Sequence, residues 1–371
     1  MGQRTPAHPV VKNLVVKLGT GILTSGIGKL SPEIIQGICS QIKQLRDRGT
    51  NVTIVSSGAV GLGMGRLGYQ RRPTDLPTLQ ACAAVGQSIL IETWQKAFEP
   101  HGLNVGQMLL TRDDLNVKRR HIAVRDTLLR LAQENVIPII NENDCISVDE
   151  LKFGDNDVLS ALVASLIKAD LLVILSTIEG LLDLKHNLLI RVVENINQDV
   201  LGLAEGTTSP TAVGGMISKL EAARIATKSK CGMVIAKGSE PNILLRIFDG
   251  EAVGTFFVPQ RTNLRSHKRW LAFFNKTCGT VTVDEGAQDA LLGKGKSLLA
   301  KGIVSVSGTF GPGSIVSIKG SDKGDVARGL TGFSSIEIDQ IKGMTSEEIR
   351  QIFPNRKHIE VVHRDSMVLI R

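Results

Sequence analysis

A chain of 371 residues, 42% hydrophobic and 22% charged with a net charge of +8, has enough material for two globular domains and a sizeable core. No apolar run approaches the roughly 18 residues of a membrane span, and the polar start from Met1 to Pro9 holds no secretory h-region, so a cytoplasmic protein outside the membrane is expected. Cys39, Cys82, Cys145, Cys231 and Cys278 are scattered without a C-x-x-C pair, which argues against a disulfide framework or zinc site and fits free thiols in a reducing compartment.

Residues 10–17 read as a strand. Residues 31–48 read as a helix, with Ser31 as N-cap, Pro32 at the first helical position and Gly49 just past the end. A strand follows over 51–56, then a helix over 77–101 broken near Gly86, a strand over 105–110 and a helix over 118–134. Next come a strand over 136–140, a helix from Asp157 to Lys168, a strand over 171–175, a helix over 219–229 and a strand over 232–236. Near-continuous apolar strands between amphipathic helices predict an α/β domain over residues 1–258, a mostly parallel sheet sandwiched by helices.

The pattern changes after Val258. Residues 259–275 read as a linker whose apolar half docks. Over 276–371, short Gly-bounded strands at 279–283, 302–307, 313–318, 335–339 and 367–370, with one helix at 285–292, predict a small β-rich domain. Residues 260–371 hold 17 Lys/Arg against 11 Asp/Glu, so most of the basic surplus lies here. A solvated surface and an RNA-type polyanion footprint both produce such a bias.

Four constellations carry chemistry. Lys17 closes the first strand and is followed by Leu18-Gly19-Thr20-Gly21, where glycines let backbone N–H groups approach phosphate oxygens and the lysine can cover negative charge; taken alone, a solvated lysine at a strand end fits the same pattern. Ser56-Ser57-Gly58-Ala59-Val60-Gly61 follows the second strand and can form an anion nest, or simply a tight strand–helix turn. Asn141, Asp144, Asp155, Asn156 and Asp157 form the densest group. Carboxylates there can orient an ammonium and amides can bind a carboxylate, which describes an amino-acid site; helix capping explains only part of so many. Finally, Val213-Gly214-Gly215-Met216-Ile217-Ser218-Lys219 opens a helix. A lysine there opposes the helix dipole, and a bound phosphate would give it a reason; a plain Gly-rich connector is the alternative. Together these point to phosphoryl transfer onto a carboxylate-bearing small molecule.

The strings 15–23, 55–63, 79–88, 106–115, 140–162 and 214–223 resemble the amino acid kinase family, most closely its glutamate-phosphorylating branch, over nearly the whole chain. The C-terminal part resembles a PUA domain, a module that binds RNA elsewhere. The resemblance implies ATP-dependent phosphorylation of the L-glutamate side-chain carboxylate to L-glutamyl 5-phosphate, the first step of proline biosynthesis, with Mg²⁺ carried on ATP. It casts Lys17 and Lys219 as the lysines that stabilise the transferring phosphoryl group and Asp157 as the aspartate that organises them. Ser57, Asp144 and Asn156 match glutamate-binding positions, with Asn141 beside them. Ser176, Thr177 and the 213–219 loop (Val213, Gly214, Gly215, Met216, Ile217, Ser218, Lys219) match nucleotide-binding segments. The chain departs from the family at Thr177, where an aspartate is usual, at Leu182, where a tyrosine is usual, and at Val213, where a threonine is usual; these changes bear on ATP affinity and purine selectivity. The resemblance also implies a homo-oligomer, dimer or tetramer, and a glutamyl phosphate reductase as partner. Two other readings stay open: a kinase of this fold with another carboxylate acceptor, and a degenerate kinase acting as an RNA-binding or regulatory protein.

Overall fold

The computed structural model describes residues 11–111, 114–115, 117–146, 156–183, 186–204, 215–260, 277–321, 324–354, 356 and 358–370. The chain divides into two compact units, Met1–Thr262 and Asn263–Arg371. The expected linker therefore lies almost wholly outside the described residues.

The strands of the first unit, in chain order, are β1 (Asn13–Leu18), the hairpin β2 (Thr24–Gly26) and β3 (Lys29–Leu30), β4 (Asn51–Ser56), β5 (Asn104–Leu110), β6 (Val136–Glu142), β7 (Leu171–Ser176), the hairpin β8 (Leu182–Asp183) and β9 (Leu188–Leu189), β10 (Val192–Val193), β11 (Gly232–Lys237) and β12 (Thr255–Phe257). Eight of them form one sheet in the order β10-β12-β11-β7-β1-β4-β6-β5. From β11 to β5 every pairing is parallel. Only β12 runs against its neighbour β11. The carboxyl ends of six strands thus share one edge. The chain winds outward from β1 in both directions, with β4 on one side and β7 on the other. In open α/β sheets such a reversal marks the edge, at the carboxyl ends of the central strands, where ligands bind.

Side-chain alternation decides what each face does. Leu14, Val16 and Leu18 join Val52, Ile54, Val173 and Leu175 in one apolar core with Ile35, Ile38, Ile42, Trp94 and Phe98 from the helices Pro32–Asp47 and Leu76–Phe98. Val15 and Lys17 point to the other face. The helices Asn156–Ile167 and Met216–Lys228 cover that face, packing on each other and on β1 and β11. The first of these is buried along most of its length, which explains its almost wholly apolar sequence.

The sequence reading needs three corrections in this unit. The helix Leu76–Phe98 is not broken at Gly86. Gly86 is a contact residue: a Cβ there would lie 1.7 Å from the Ala59 carbonyl oxygen, so the helix Ala59–Leu67 crosses at backbone contact. Ser31 occupies the N-cap position of Pro32–Asp47, but its hydroxyl makes no capping bond; Asp75, not foreseen, does cap Leu76–Phe98 by accepting from Thr78 N at 3.0 Å. The helix foreseen from Lys219 begins three residues earlier, at Met216.

In the second unit, β13 (Gly279–Val283), β14 (Ile303–Ser307), β15 (Ile315–Lys319), β16 (Asp325–Thr331) and β17 (Val362–Leu369) form a five-stranded sheet ordered β14-β13-β15-β16-β17. Its own core gathers Val281, Val316, Ile318, Val326, Phe333, Ile338 and Val362. The stretch expected as a strand at 335–339 is the helix Ser335–Ile341. Ser334 and Glu337 close a capping box around its start, and Ser335, Ile338 and Ile341 recur on the buried side at helical spacing. The alternation of Ile336 and Ile338 imitates a strand, but Ile336 is exposed. A third helix, Ser346–Ile352, was not foreseen and opens with the same device at Thr345 and Glu348.

Candidate active site

Lys17 ends up buried because it is the penultimate residue of a central strand, on the face covered by two helices. An ammonium in that position requires a counter-charge. Asp157, fully buried in the first turn of Asn156–Ile167, supplies it: Lys17 Nζ lies 2.6 Å from Asp157 Oδ1. Lys219 approaches from the Met216–Lys228 helix, its Nζ donating to Asp157 Oδ2 at 3.0 Å. The Ser218 hydroxyl also donates to Asp157 Oδ2 at 3.0 Å and lies 3.0 Å from the Gly215 carbonyl oxygen. One carboxylate therefore fixes two lysines from opposite ends of the unit. Burial pushes the Asp157 carboxyl up, but the charges of Lys17 and Lys219 and their hydrogen bonds outweigh it and hold the group below the usual carboxylate range. The group is ionised at neutral pH.

A second cluster lies at the ends of β4 and β6. Asn156 Nδ2 is 2.8 Å from each of three acceptors: the Ser56 carbonyl, Ser57 Oγ and Asn141 Oδ1. Asn141 Oδ1 also accepts from the Glu142 backbone N–H at 2.9 Å. That fixes the Asn141 amide orientation and leaves its Nδ2, buried, with no hydrogen-bond partner among the described residues. A buried donor without a partner is costly unless a ligand supplies the acceptor. Behind this cluster, Trp94 Nε1 donates to Ser56 Oγ at 3.2 Å, which sequence reasoning did not anticipate. Gly58, at φ 107°, makes the strand-to-helix turn that presents Ser57 and starts the helix at Ala59.

Asp144 sits half-buried in the turn after β6. Ser176 ends β7, and Thr177 is exposed just beyond it. The glycine loop lies alongside: a Cβ on Gly21 would meet Thr177 Cγ2 at 3.0 Å, and one on Gly19 would lie 3.5 Å from Lys17 Nζ. Gly215 is the N-cap of the Met216–Lys228 helix, Met216 is buried and Ile217 is exposed. Asp155, Val213 and Gly214 lie outside the described residues. Thus Lys17, Asp157, Ser218 and Lys219 form one group. Ser57, Asn141 and Asn156 form another, joined to the first through the adjacent residues Asn156 and Asp157.

Two buried lysines on one carboxylate, at the carboxyl edge of a doubly wound parallel sheet, can stabilise negative charge on a transferring group. Residues 12–237 match the profile of the amino acid kinase family, and residues 279–353 match that of the PUA domain. The chain belongs to the amino acid kinase family. It is 43% identical over 362 residues, 96% of this chain and 97% of the relative, to a protein of Caldanaerobacter subterraneus subsp. tengcongensis named glutamate 5-kinase. Proteins of the same name from Dehalococcoides mccartyi (strain CBDB1) and Geobacter sp. (strain M21) are 42% identical over 367 residues and 43% over 365, each spanning 97% of this chain and 98% of the relative. No helix among the described residues is long and apolar enough to cross a membrane.

Proposed function

We propose that the protein is a glutamate 5-kinase, transferring the γ-phosphoryl group of ATP to the side-chain carboxylate of L-glutamate and yielding L-glutamyl 5-phosphate for proline biosynthesis. The observation that carries this reading is full-length similarity to proteins of that name, together with a Lys17–Asp157–Lys219 group at the carboxyl edge of the sheet.

The acceptor carboxylate has an ordinary pKa of about 4.3 and is already ionised at neutral pH, so no general base is needed. Catalysis reduces to alignment and charge stabilisation. Lys17 and Lys219 stabilise the three oxygens of the transferring group, and Asp157 keeps both ammoniums in place without moving during the reaction. The unpartnered Asn141 Nδ2 suits an acceptor oxygen of glutamate, with Asn156 hydrogen-bonded to both Asn141 and Ser57 and with Asp144 close by in the chain. Gly215 to Lys219 and the Ser176–Thr177 edge receive the nucleotide, along with Val213 and Gly214. Among the described residues no three His, Cys, Asp or Glu side chains are grouped to hold a metal ion. On the kinase reading Mg²⁺ would travel with ATP and would neutralise charge on its phosphate oxygens.

We place the enzyme in the cytoplasm as a dimer or tetramer. Its acyl phosphate is labile, which calls for a reductase as immediate consumer. For the PUA domain the role favoured is structural or oligomer-modulating, and RNA affinity that is lost on deleting 276–371 would overturn it.

The test is ADP release by the purified protein with Mg-ATP and L-glutamate, aspartate or acetylglutamate, with hydroxylamine present to trap an acyl phosphate. Glutamate-dependent release with a matching hydroxamate is expected. Turnover only with another acceptor would reassign the substrate, and no turnover in a folded sample would refute the kinase reading.

A further inference from the structure

Lys237 closes β11, and strand register fixes the side to which it projects. Lys17 pairs with Ile174 and Ile174 with Ile235, so those three side chains share one face. Two residues on, Ser176 and Lys237 are register partners on that same face, and the Gly238 backbone N–H continues the pairing by donating to the Ser176 carbonyl at 2.9 Å. The opposite face at this level is occupied by Leu18, Leu175 and Ala236 of the apolar core. Lys237 thus joins Lys17 and Lys219 on one face at the carboxyl edge, beside the strand end that carries Ser176 and Thr177.

The charge balance gives this lysine a task. Lys17 and Lys219 share Asp157, so the group nets a single positive charge. A metal-bound nucleoside triphosphate still carries roughly two negative charges. Lys237 is half-buried and has no ion-pair partner among the described residues. Glu240, an acid three residues on, is engaged by Arg246 at 3.6 Å. With strands about 4.8 Å apart, β11 lies about 10 Å across the edge from β1, a distance suited to the part of a nucleotide behind its transferring phosphate. We infer that Lys237 is a further nucleotide-binding residue, its ammonium contacting the non-transferred phosphates of the donor. This rests on the kinase reading for the identity of the donor.

The test compares full-length wild type with Lys237→Met and Lys237→Arg. ADP release gives kcat and both KM values, calorimetry gives the Kd for ADP, and thermal melting checks the fold. For Lys237→Met, KM for Mg-ATP and Kd for ADP should rise about ten-fold, the loss of one charge-assisted contact. KM for glutamate and kcat should stay near wild type, and Lys237→Arg should recover most of the nucleotide affinity. Unchanged nucleotide KM and Kd in Lys237→Met would overturn the inference. So would equal losses in kcat and in both KM values, the mark of a structural lysine. A wild type that binds ADP but does not turn over glutamate would refute the reaction, while a ten-fold ADP defect in Lys237→Met would still support the site.

Discussion

Replacing Asp157 by Asn removes the charge on which both buried lysines depend while keeping the side-chain volume. Lys17 Nζ and Lys219 Nζ lie 2.6 and 3.0 Å from the two oxygens of this carboxylate. The ammoniums are then roughly 6 Å apart, and at an effective dielectric of about 20 they repel by about 3 kcal/mol once the carboxylate is gone. Breaking a buried ion pair from one side typically costs about 3–5 kcal/mol, a large share of the roughly 5–15 kcal/mol that stabilises a domain. We expect a clear loss of melting temperature and a kcat lower by at least about 10²–10³-fold, because both lysines lose their alignment. Mg-ATP should restore part of the lost melting temperature, since its phosphates replace the missing negative charge. The pH dependence has a fixed sign. The folded-state carboxyl is depressed, so its contribution is present above the unfolded value of about 4 and disappears as pH falls through the folded one. The gap in melting temperature between wild type and Asp157→Asn should therefore narrow on acidification below about pH 4. The assays are thermal melting by circular dichroism and coupled ADP release. A kcat within ten-fold of wild type would refute this account of the site.

Asn156→Ala removes the donor that ties Ser56, Ser57 and Asn141 together, so KM for glutamate should rise at least about ten-fold at a stability cost of about 1–2 kcal/mol, measured by steady-state kinetics and denaturant melts. Gly86→Ala places a Cβ 1.7 Å from the Ala59 carbonyl oxygen and should destabilise the first unit by about 3 kcal/mol, since the clash is with backbone; a melting temperature equal to wild type would mean that the two helices separate freely. Thiol titration at pH 8 should find Cys278, which is exposed, reacting fast and half-buried Cys145 more slowly. Cys39 and Cys231 should react only on unfolding, because burial pushes both thiols far up, helped at Cys231 by Asp170.

What was legible in the sequence follows from how local each signal is. Five of the six parallel strands announce themselves as short, largely apolar runs because both faces are covered, and the bounds of β4 are legible to the residue; edge strand β5, with Gly106 and Gln107 inside it, is only partly buried. Lys17 stood out as a cation at the end of such a run. The grouping of Asn141, Asn156 and Asp157 was visible as density, but the bridge from Asn156 to Ser56 and Ser57 spans about a hundred residues and is set by the parallel register of β4 and β6. Gly86 was misread because a glycine that breaks a helix and one that admits a neighbouring helix look alike without the neighbour. β16 was missed because Arg328 and Gly329 interrupt its apolar pattern; Gly329 is small because a Cβ there would strike Val362 Cγ1 at 2.3 Å on the adjacent strand. Lys237 carries no signal in the sequence, and only the strand register places it beside Ser176.

The central position of β1 has a consequence for how the chain is born. One neighbour, β4, is made soon after it, but the other, β7, begins more than 150 residues later; the Asn13 N–H bond to Asp170 Oδ2 spans 157 residues. At a synthesis rate of about 5–20 residues per second, the strand destined for the middle of the sheet spends roughly 8–30 s as a bare hydrophobic edge on the ribosome. An unpaired edge of that kind is a template for pairing with other chains. The same winding that puts the switch point at β1 thus makes the nascent chain dependent on its surroundings for that interval, until β7 emerges and the sheet can close over its own first strand.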